Sequence, residues 1–424
     1  MPESANEHIE PVLPESPAAK PRPVEHHEPA RLIEATREDS AATLYAQEIP
    51  PEYRANAERV VEEYLELKPG ESVLFITDQN AHNTDPQLIS LIEEVVSKKG
   101  GASTIFRIEG RKERHRQTPE LQQLIAAHDV IWIASDIHKE KLPVDFETIA
   151  NTLKETGKRM AHCTGLHAES LGNEGALAEP RRQMEERLNR MEERLRPVAG
   201  FHIENINGTD LWVEMKPKER RWFPDSGVIR PSKWDNLPGG EIFTTPNEER
   251  VNGTLVLTTL HHDVTPDRGV DQPVRLTIRN GKIVTIEGGE SAEKLRSYLH
   301  TNSMIADDPW SVYSCAEIAF GANSKAVANE PCIGPDDWKK PGHSAVETEK
   351  RLGTMHIAFG NSKHGEEGTE GDNTAPTHLD FVLPQEGLTV RAFKDQASFN
   401  LAQRSSTTSK NDEFLIRNGK LMLI

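Results

Sequence analysis

Short apolar runs and amphipathic stretches take turns between residues 56 and 156, and that rhythm leaves few folds open. Residues 56–67 carry apolar side chains at helical spacing, and Lys68-Pro69-Gly70-Glu71 reads as a turn. Ser72-Val73-Leu74-Phe75-Ile76-Thr77 is then too short and too continuously apolar for anything but a buried strand. A second amphipathic helix is predicted over 86–98, a strand near 103–108, a helix near 118–127, the strand Val130-Ile131-Trp132-Ile133-Ala134, and a helix near 146–156. Strands of this length separated by helices require crossover connections, and crossovers build a parallel sheet. Asp78-Gln79-Asn80 ends the first strand where a dinucleotide-binding fold places its glycine-rich turn, so a nucleotide site is not expected there.

The ends of the chain read differently. Residues 1–50 are rich in Pro and Glu with no apolar period, so burial cannot offset the entropy of ordering them, and a disordered tail is expected. His26-His27 within it reads as a solvated pair. Residues 177–196 form a charged helix whose Arg and Glu spacing suits surface ion pairs. Beyond Pro197 the texture turns to strands. Asn205-Ile206-Asn207-Gly208-Thr209-Asp210 reads as a hairpin turn, and the strand pairs around Asn280-Gly281 and Asn418-Gly419 read as hairpins with type I′ turns. The fold class expected is therefore α/β: a parallel-sheet α/β domain over 51–200, then a β-rich mixed α+β domain over 201–424 that carries the chemistry.

Charge excludes two classes. Lys plus Arg number 50 and Asp plus Glu 68, a net charge of −18. A general nucleic-acid binder and a polybasic membrane anchor both need the opposite sign. No apolar run approaches the roughly 20 residues that span a bilayer, and no basic-then-apolar leader follows Met1, so a soluble cytoplasmic protein is expected. Cys163, Cys315 and Cys332 are too scattered for a zinc site or a disulfide framework and read as reduced thiols.

Candidate ligands gather in the second half. In the strand-like Thr377-His378-Leu379-Asp380-Phe381-Val382-Leu383, residues two apart share a face, so His378 and Asp380 project together while Leu379 and Phe381 enter the core. An imidazole beside a carboxylate suits zinc, cobalt, manganese or iron(II). Glu317-Ile-Ala-Phe-Gly-Ala-Asn-Ser-Lys and His356-Ile-Ala-Phe-Gly-Asn-Ser-Lys are nearly one peptide, with a possible ligand at the head of each. Glu241 follows the turn Pro238-Gly239-Gly240. Glu347 and Glu349 fall on a predicted helix over 344–352, where solvent exposure is the default. His261-His262-Asp263 and His343 read as loop or surface groups, and Cys315, two residues before Glu317, as a buried structural thiol.

In order and spacing, Pro238-Gly239-Gly240-Glu241-Ile242-Phe243-Thr244, Glu317-Ile318-Ala319-Phe320-Gly321, His356-Ile357-Ala358-Phe359-Gly360 and His378-Leu379-Asp380 resemble the aminopeptidase T family of metallopeptidases. The resemblance covers roughly 230–385, with a looser fit before it. It implies two divalent metal ions, zinc, cobalt or manganese, held by Glu241, Glu317, Glu349, His356, His378 and Asp380, with Glu317 bridging and Glu317 or Glu349 accepting a proton. Glu349 is matched at a spacing that departs from the family's. Lys363 stands where the peptidases carry a catalytic tyrosine, and its ammonium could stabilise an oxyanion. A branch of the same family, the 2,5-dihydroxypyridine dioxygenases, keeps the His-x-Asp pair, has histidine at the Glu317 position and holds one iron(II). Glu317 thus points to the hydrolytic type.

The function expected first is a metal-dependent hydrolase, an aminopeptidase that frees N-terminal residues from peptides. The alternatives are a ring-cleaving iron dioxygenase or an amidohydrolase on a small aromatic compound, or a binding protein without catalysis. The resemblance also implies a homodimer.

Overall fold

The computed structural model describes residues 49–78, 85–108, 119–134, 146–265, 268–327, 345–365, 367–405 and 412–422. His26-His27, Cys332, His343 and all but the end of the expected tail lie outside them. The described residues form one compact unit.

The first helix, α1 (Pro51–Arg59), continues into a π-helical turn over Val60–Tyr64. There follow β1 (Val73–Asp78), α2 (Pro86–Lys98), β2 (Ser103–Ile108), α3 (Pro119–Ala127), β3 (Val130–Ala134), α4 (Phe146–Thr156) and β4 (Arg159–His162). This is the predicted alternation. Asp85 starts α2 by accepting from the Gln87 amide at 2.9 Å, which satisfies a donor the helix cannot use internally. In β1 the pleat sends Val73 and Phe75 to one core and Leu74 and Ile76 to another. Such a strand, covered on both faces, must be apolar throughout.

After the charged helix α5 (Arg181–Leu195) come β5 (Gly200–Glu204), β6 (Asp210–Glu214), β7 (Phe223–Asp225), β8 (Trp234–Asn236), β9 (Glu241–Thr244), β10 (Val251–Leu257), β11 (Val274–Arg279) and β12 (Lys282–Glu287). Helix α6 (Glu290–Ser303) leads to β13 (Cys315–Gly321), then α7 (Ala345–Lys350), β14 (Met355–Gly360), β15 (His378–Val382), β16 (Thr389–Phe393), α8 (Gln396–Ser405), β17 (Asp412–Arg417) and β18 (Lys420–Leu421). Among the described residues these strands make three sheets. A parallel sheet runs β2-β1-β3-β4-β8, an antiparallel sheet runs β12-β11-β10-β6-β5-β16-β17-β18, and a second antiparallel sheet runs β15-β14-β13-β9-β7. The α/β class with a β-rich second half is thus observed. Although β8 lies past residue 200, it completes the first sheet by pairing with β4.

Helix α5 carries the expected surface pairs, Arg181 to Glu185 at 2.7 Å and Arg182 to Glu186 at 2.9 Å, and buries Met184, Leu188, Met191 and Leu195 on its other side. Helix α7 departs from expectation. Glu347, Glu349 and Lys350 are buried, not solvent-exposed. A local reading of a charged helix cannot see that its charges meet partners from distant strands.

Both Asn-Gly turns form as predicted, with positive φ at Asn280 and Gly281 (49° and 74°) and at Asn418 and Gly419 (47° and 73°). At Gly281 a Cβ would also lie 1.4 Å from the Glu248 carbonyl oxygen. Gly281→Ala is therefore expected to cost about 2 kcal/mol or more, read as a lower denaturation midpoint. A shift under about 0.5 kcal/mol would show that the turn relaxes freely.

Candidate metal centre

Four neighbouring strands of the second antiparallel sheet bring the candidate ligands to one face. His378 and Asp380 stand on β15, His356 on β14, Glu317 on β13 and Glu241 on β9. The register pairs Ala358 with both Glu317 and Asp380, His356 with Ala319, His378 with Gly360 and Glu241 with Gly321. Residues paired across antiparallel strands share a face, so every ligand has an alanine or glycine beside it. That is the physical content of the near-repeated peptides: the third and fifth residues are small to leave room, and Ile318, Phe320, Ile357 and Phe359 fill the core behind.

The polar atoms converge. His356 Nε2 lies 3.1 Å from Glu317 Oε1, 3.5 Å from Glu241 Oε2 and 3.8 Å from Asp380 Oδ1. His378 Nε2 lies 3.3 Å from Asp380 Oδ1 and 3.7 Å from Glu317 Oε2. Its Nδ1 donates to the Asn361 carbonyl at 2.7 Å, which fixes the tautomer that leaves Nε2 free to bind a metal. Glu349 joins His356 and Asp380, with one donor atom from each within 4.8 Å of the others.

Two residues of this centre escaped the sequence reading. Lys350, the last residue of α7, is fully buried, and its Nζ donates to Glu241 Oε1 and, at 2.9 Å, to Glu349 Oε1. His364 Nδ1 donates to Glu317 Oε2 at 3.1 Å, while Thr245 Oγ1 lies 2.9 Å from its Nε2. Lys363, expected at the reacting centre, instead donates to the Gly371 carbonyl at 2.6 Å; its neighbour His364 is the one that reaches Glu317. The near-repeat offered a signal, since both copies end in Ser-Lys and only one continues to histidine.

Charge is finely matched here. Burial opposes ionisation of Glu317, but hydrogen bonds from His356 and His364 hold its carboxyl well below the usual range. Burial likewise opposes the charge on Asp380, and His378 overcomes it. Burial disfavours the imidazolium of His356, yet Glu317 and Glu241 lift it to about 9. His378 reaches about 10 through Asp380 and Glu317, again against burial. Burial raises Glu241 to about 8 in spite of Lys350. Burial opposes the Lys350 ammonium, and Glu241, Glu349 and Asp225 hold it well above its ordinary range.

The donor set fits a divalent cation. Glu241 Oε2 is buried without a hydrogen-bond partner among the described residues, and the carboxylates and imidazoles are the ligand types such ions take. An ion must displace protons from His356 and His378 at neutral pH. Apparent affinity for Mn²⁺ is therefore expected to rise with pH, up to about tenfold per unit for each proton displaced, between pH 7 and 9. Titration calorimetry in buffers of different ionisation heat reads those protons directly; affinity independent of pH would contradict it.

His261, His262 and Asp263 form another close group, with His261 Nδ1 3.6 Å from Asp263 Oδ2. His261 is buried, unlike a surface histidine.

Comparison with known proteins follows the same line. A curated relative, the 2,5-dihydroxypyridine 5,6-dioxygenase of Pseudomonas putida, is 29% identical over 157 residues, which is 36% of this chain and 40% of that protein. The match thus spans well under half of the relative's length. Among solved structures, the 2,5-dihydroxypyridine dioxygenase of Pseudomonas putida KT2440 superposes with a TM-score of 0.59 at 17% identity, over 87% of this chain and 96% of that one. AmpT from Thermus thermophilus superposes with a TM-score of 0.58 at 17% identity, over 88% and 99%. Both likenesses establish a shared fold. The family model described as NicX, 2,5-dihydroxypyridine 5,6-dioxygenase, matches residues 57–391. The hydrolytic type expected from Glu317 gains no specific support from that match, and across most of its length the chain belongs to the 2,5-dihydroxypyridine 5,6-dioxygenase family.

Proposed function

We propose that the protein is a metal-dependent dioxygenase acting on a small hydroxylated, pyridine-like ring, with iron(II) held by Glu317, His356, His378 and Asp380. One observation carries this reading beyond family membership. The Nε2 atoms of His356 and His378 face the same Asp380 oxygen at 3.8 and 3.3 Å, and Glu317 lies against both imidazoles. Two imidazoles with carboxylates are the donors that non-haem iron(II) oxygenases use. Iron(II), when bound, supplies the redox chemistry that dioxygen requires.

The chain's own groups do the rest. Asn361 holds His378 in its ligating tautomer. His364, braced by Thr245, orients Glu317 through its Oε2. Phe243 is half-buried on the same face as Glu241, 5.2 Å from the His364 ring, and offers a flat apolar surface to an aromatic substrate.

A peptidase reading keeps one specific support, the additional carboxylates Glu241 and Glu349 beside the His-x-Asp pair. The two readings separate in one experiment. Protein loaded anaerobically with iron(II) and given 2,5-dihydroxypyridine is expected to consume dioxygen in step with loss of the ring absorbance. Release of product from an aminoacyl anilide, with no dioxygen uptake from the pyridine, would replace the oxygenase with a hydrolase.

A further inference from the structure

Lys350 is the one fully buried lysine among the largest buried side chains of the described residues, and it ends a helix of six residues with Glu349 beside it. Its Nζ is shared between Glu241 Oε1 and Glu349 Oε1. Asp225 pairs with Glu241 across β7 and β9, adding a further carboxylate on the same side. An ammonium in hydrogen-bond contact with two carboxylates from different elements meets their charge and occupies the space between them. Those same two carboxylates are the ones left over when Glu317, His356, His378 and Asp380 are assigned to one ion. A divalent ion bound between Glu241 and Glu349 would have to displace the lysine, or sit against its positive charge in a pocket that screens poorly.

We infer that Lys350 is a built-in cation standing where a second metal ion would bind, and that this lysine is what closes the position between Glu241 and Glu349 to a second ion. The inference rests on the preceding reading only for the location of that ion; it holds whichever reaction the ion serves. Lysine is suited to the task because it supplies charge without the open coordination positions that would draw in water or substrate. It also ties Glu241 and Glu349 together, leaving Glu241 Oε2 turned to His356 at 3.5 Å.

The test is metal stoichiometry, read without any assay of activity. Full-length protein is dialysed against Mn²⁺ and its manganese is counted by mass spectrometry, with electron paramagnetic resonance reporting whether the ions are isolated or coupled. One ion per chain, with the spectrum of an isolated ion at all loadings, is expected for the wild type. Lys350→Met, nearly isosteric and uncharged, is expected to take up a second ion and to show a coupled pair. Two coupled ions in the wild type would overturn the role of Lys350 while leaving a metal centre in place. A folded Lys350→Met protein that still binds only one ion would overturn it too. Should that variant not fold, Lys350→Gln, uncharged and able to hydrogen-bond both carboxylates, is counted in the same way, and one ion in a folded Lys350→Gln protein would overturn the role. No bound ion in the wild type would remove the metal reading of the preceding section as well, so the two failures are told apart.

Discussion

Glu317→Ala protein should bind Mn²⁺ at least about 100-fold more weakly than the wild type. Glu317 stands at the middle of the cluster, with one carboxylate oxygen 3.1 Å from His356 and the other 3.1 Å from His364 and 3.7 Å from His378. No other residue of the centre reaches all three imidazoles. Its removal takes away a donor and also the group that keeps His364 and His378 edge to face, their rings 5.7 Å apart. The loss extends to stability, because breaking a buried ion pair leaves its partner charged and uncompensated, at a cost of about 3–5 kcal/mol. In the metal-free wild type the imidazolium pairs are fully present below pH 6.5 and are lost as pH rises through about 9 to 10, so the stability deficit should be largest at about pH 6.5 and below, still large at pH 7, and shrink in alkali. Metal affinity from chelator-buffered dialysis and denaturation midpoints at pH 7 and 10 check both. Wild-type affinity in the variant would remove Glu317 from the centre.

Phe320→Ala should be the most damaging of the core substitutions, at about 3–5 kcal/mol. Phe320 lies on β13 three residues after Glu317, so the pleat points it away from the ligands and into the space between the two antiparallel sheets. There it is fully buried and packs against Phe201 of β5 at 5.6 Å and Trp222 at 5.9 Å between ring centroids. Aromatic contacts of this kind add about 0.5–1.5 kcal/mol beyond area burial. The denaturant midpoint should fall with little change in slope. A loss below about 1 kcal/mol would mean that the sheets close over the cavity and that the aromatic cluster does not hold them apart.

Much of this fold was legible because local pattern and tertiary context agree. The β1 strand is apolar on both faces and is buried on both; α2 has its stripe, its Asp85 cap and its closing glycines; the Asn-Gly turns demand positive φ wherever they occur. The site was legible through short peptides in which small residues alternate with a ligand. Lys350 and the burial of Glu349 are not legible, because nothing local separates a buried Glu-Lys step from a solvated one; only packing against β13 and β15 decides. His364 lies beyond the end of the near-repeated peptide, where no strand period fixes which way a side chain points, so its contact with Glu317 is not legible locally. The strand Trp234–Asn236 was missed because three residues of mixed polarity carry no period. The ligand motifs carry the shared scaffold, but a single carboxylate at Glu317 does not separate its hydrolytic and oxygenase branches, whereas the family model spans residues 57–391.

That short strand has a consequence for biosynthesis. β8 supplies the outermost rung of the parallel sheet beside β4, yet some seventy residues of helix and antiparallel strand are translated between the two. A nascent chain paused near residue 200 would show β4 with an unpaired rim, the sort of template that recruits other chains. The first layer reaches its final width only when Asn236 has cleared the ribosome, and Glu241 emerges five residues later. Closure of the scaffold and arrival of the first ligand are therefore nearly simultaneous events in synthesis.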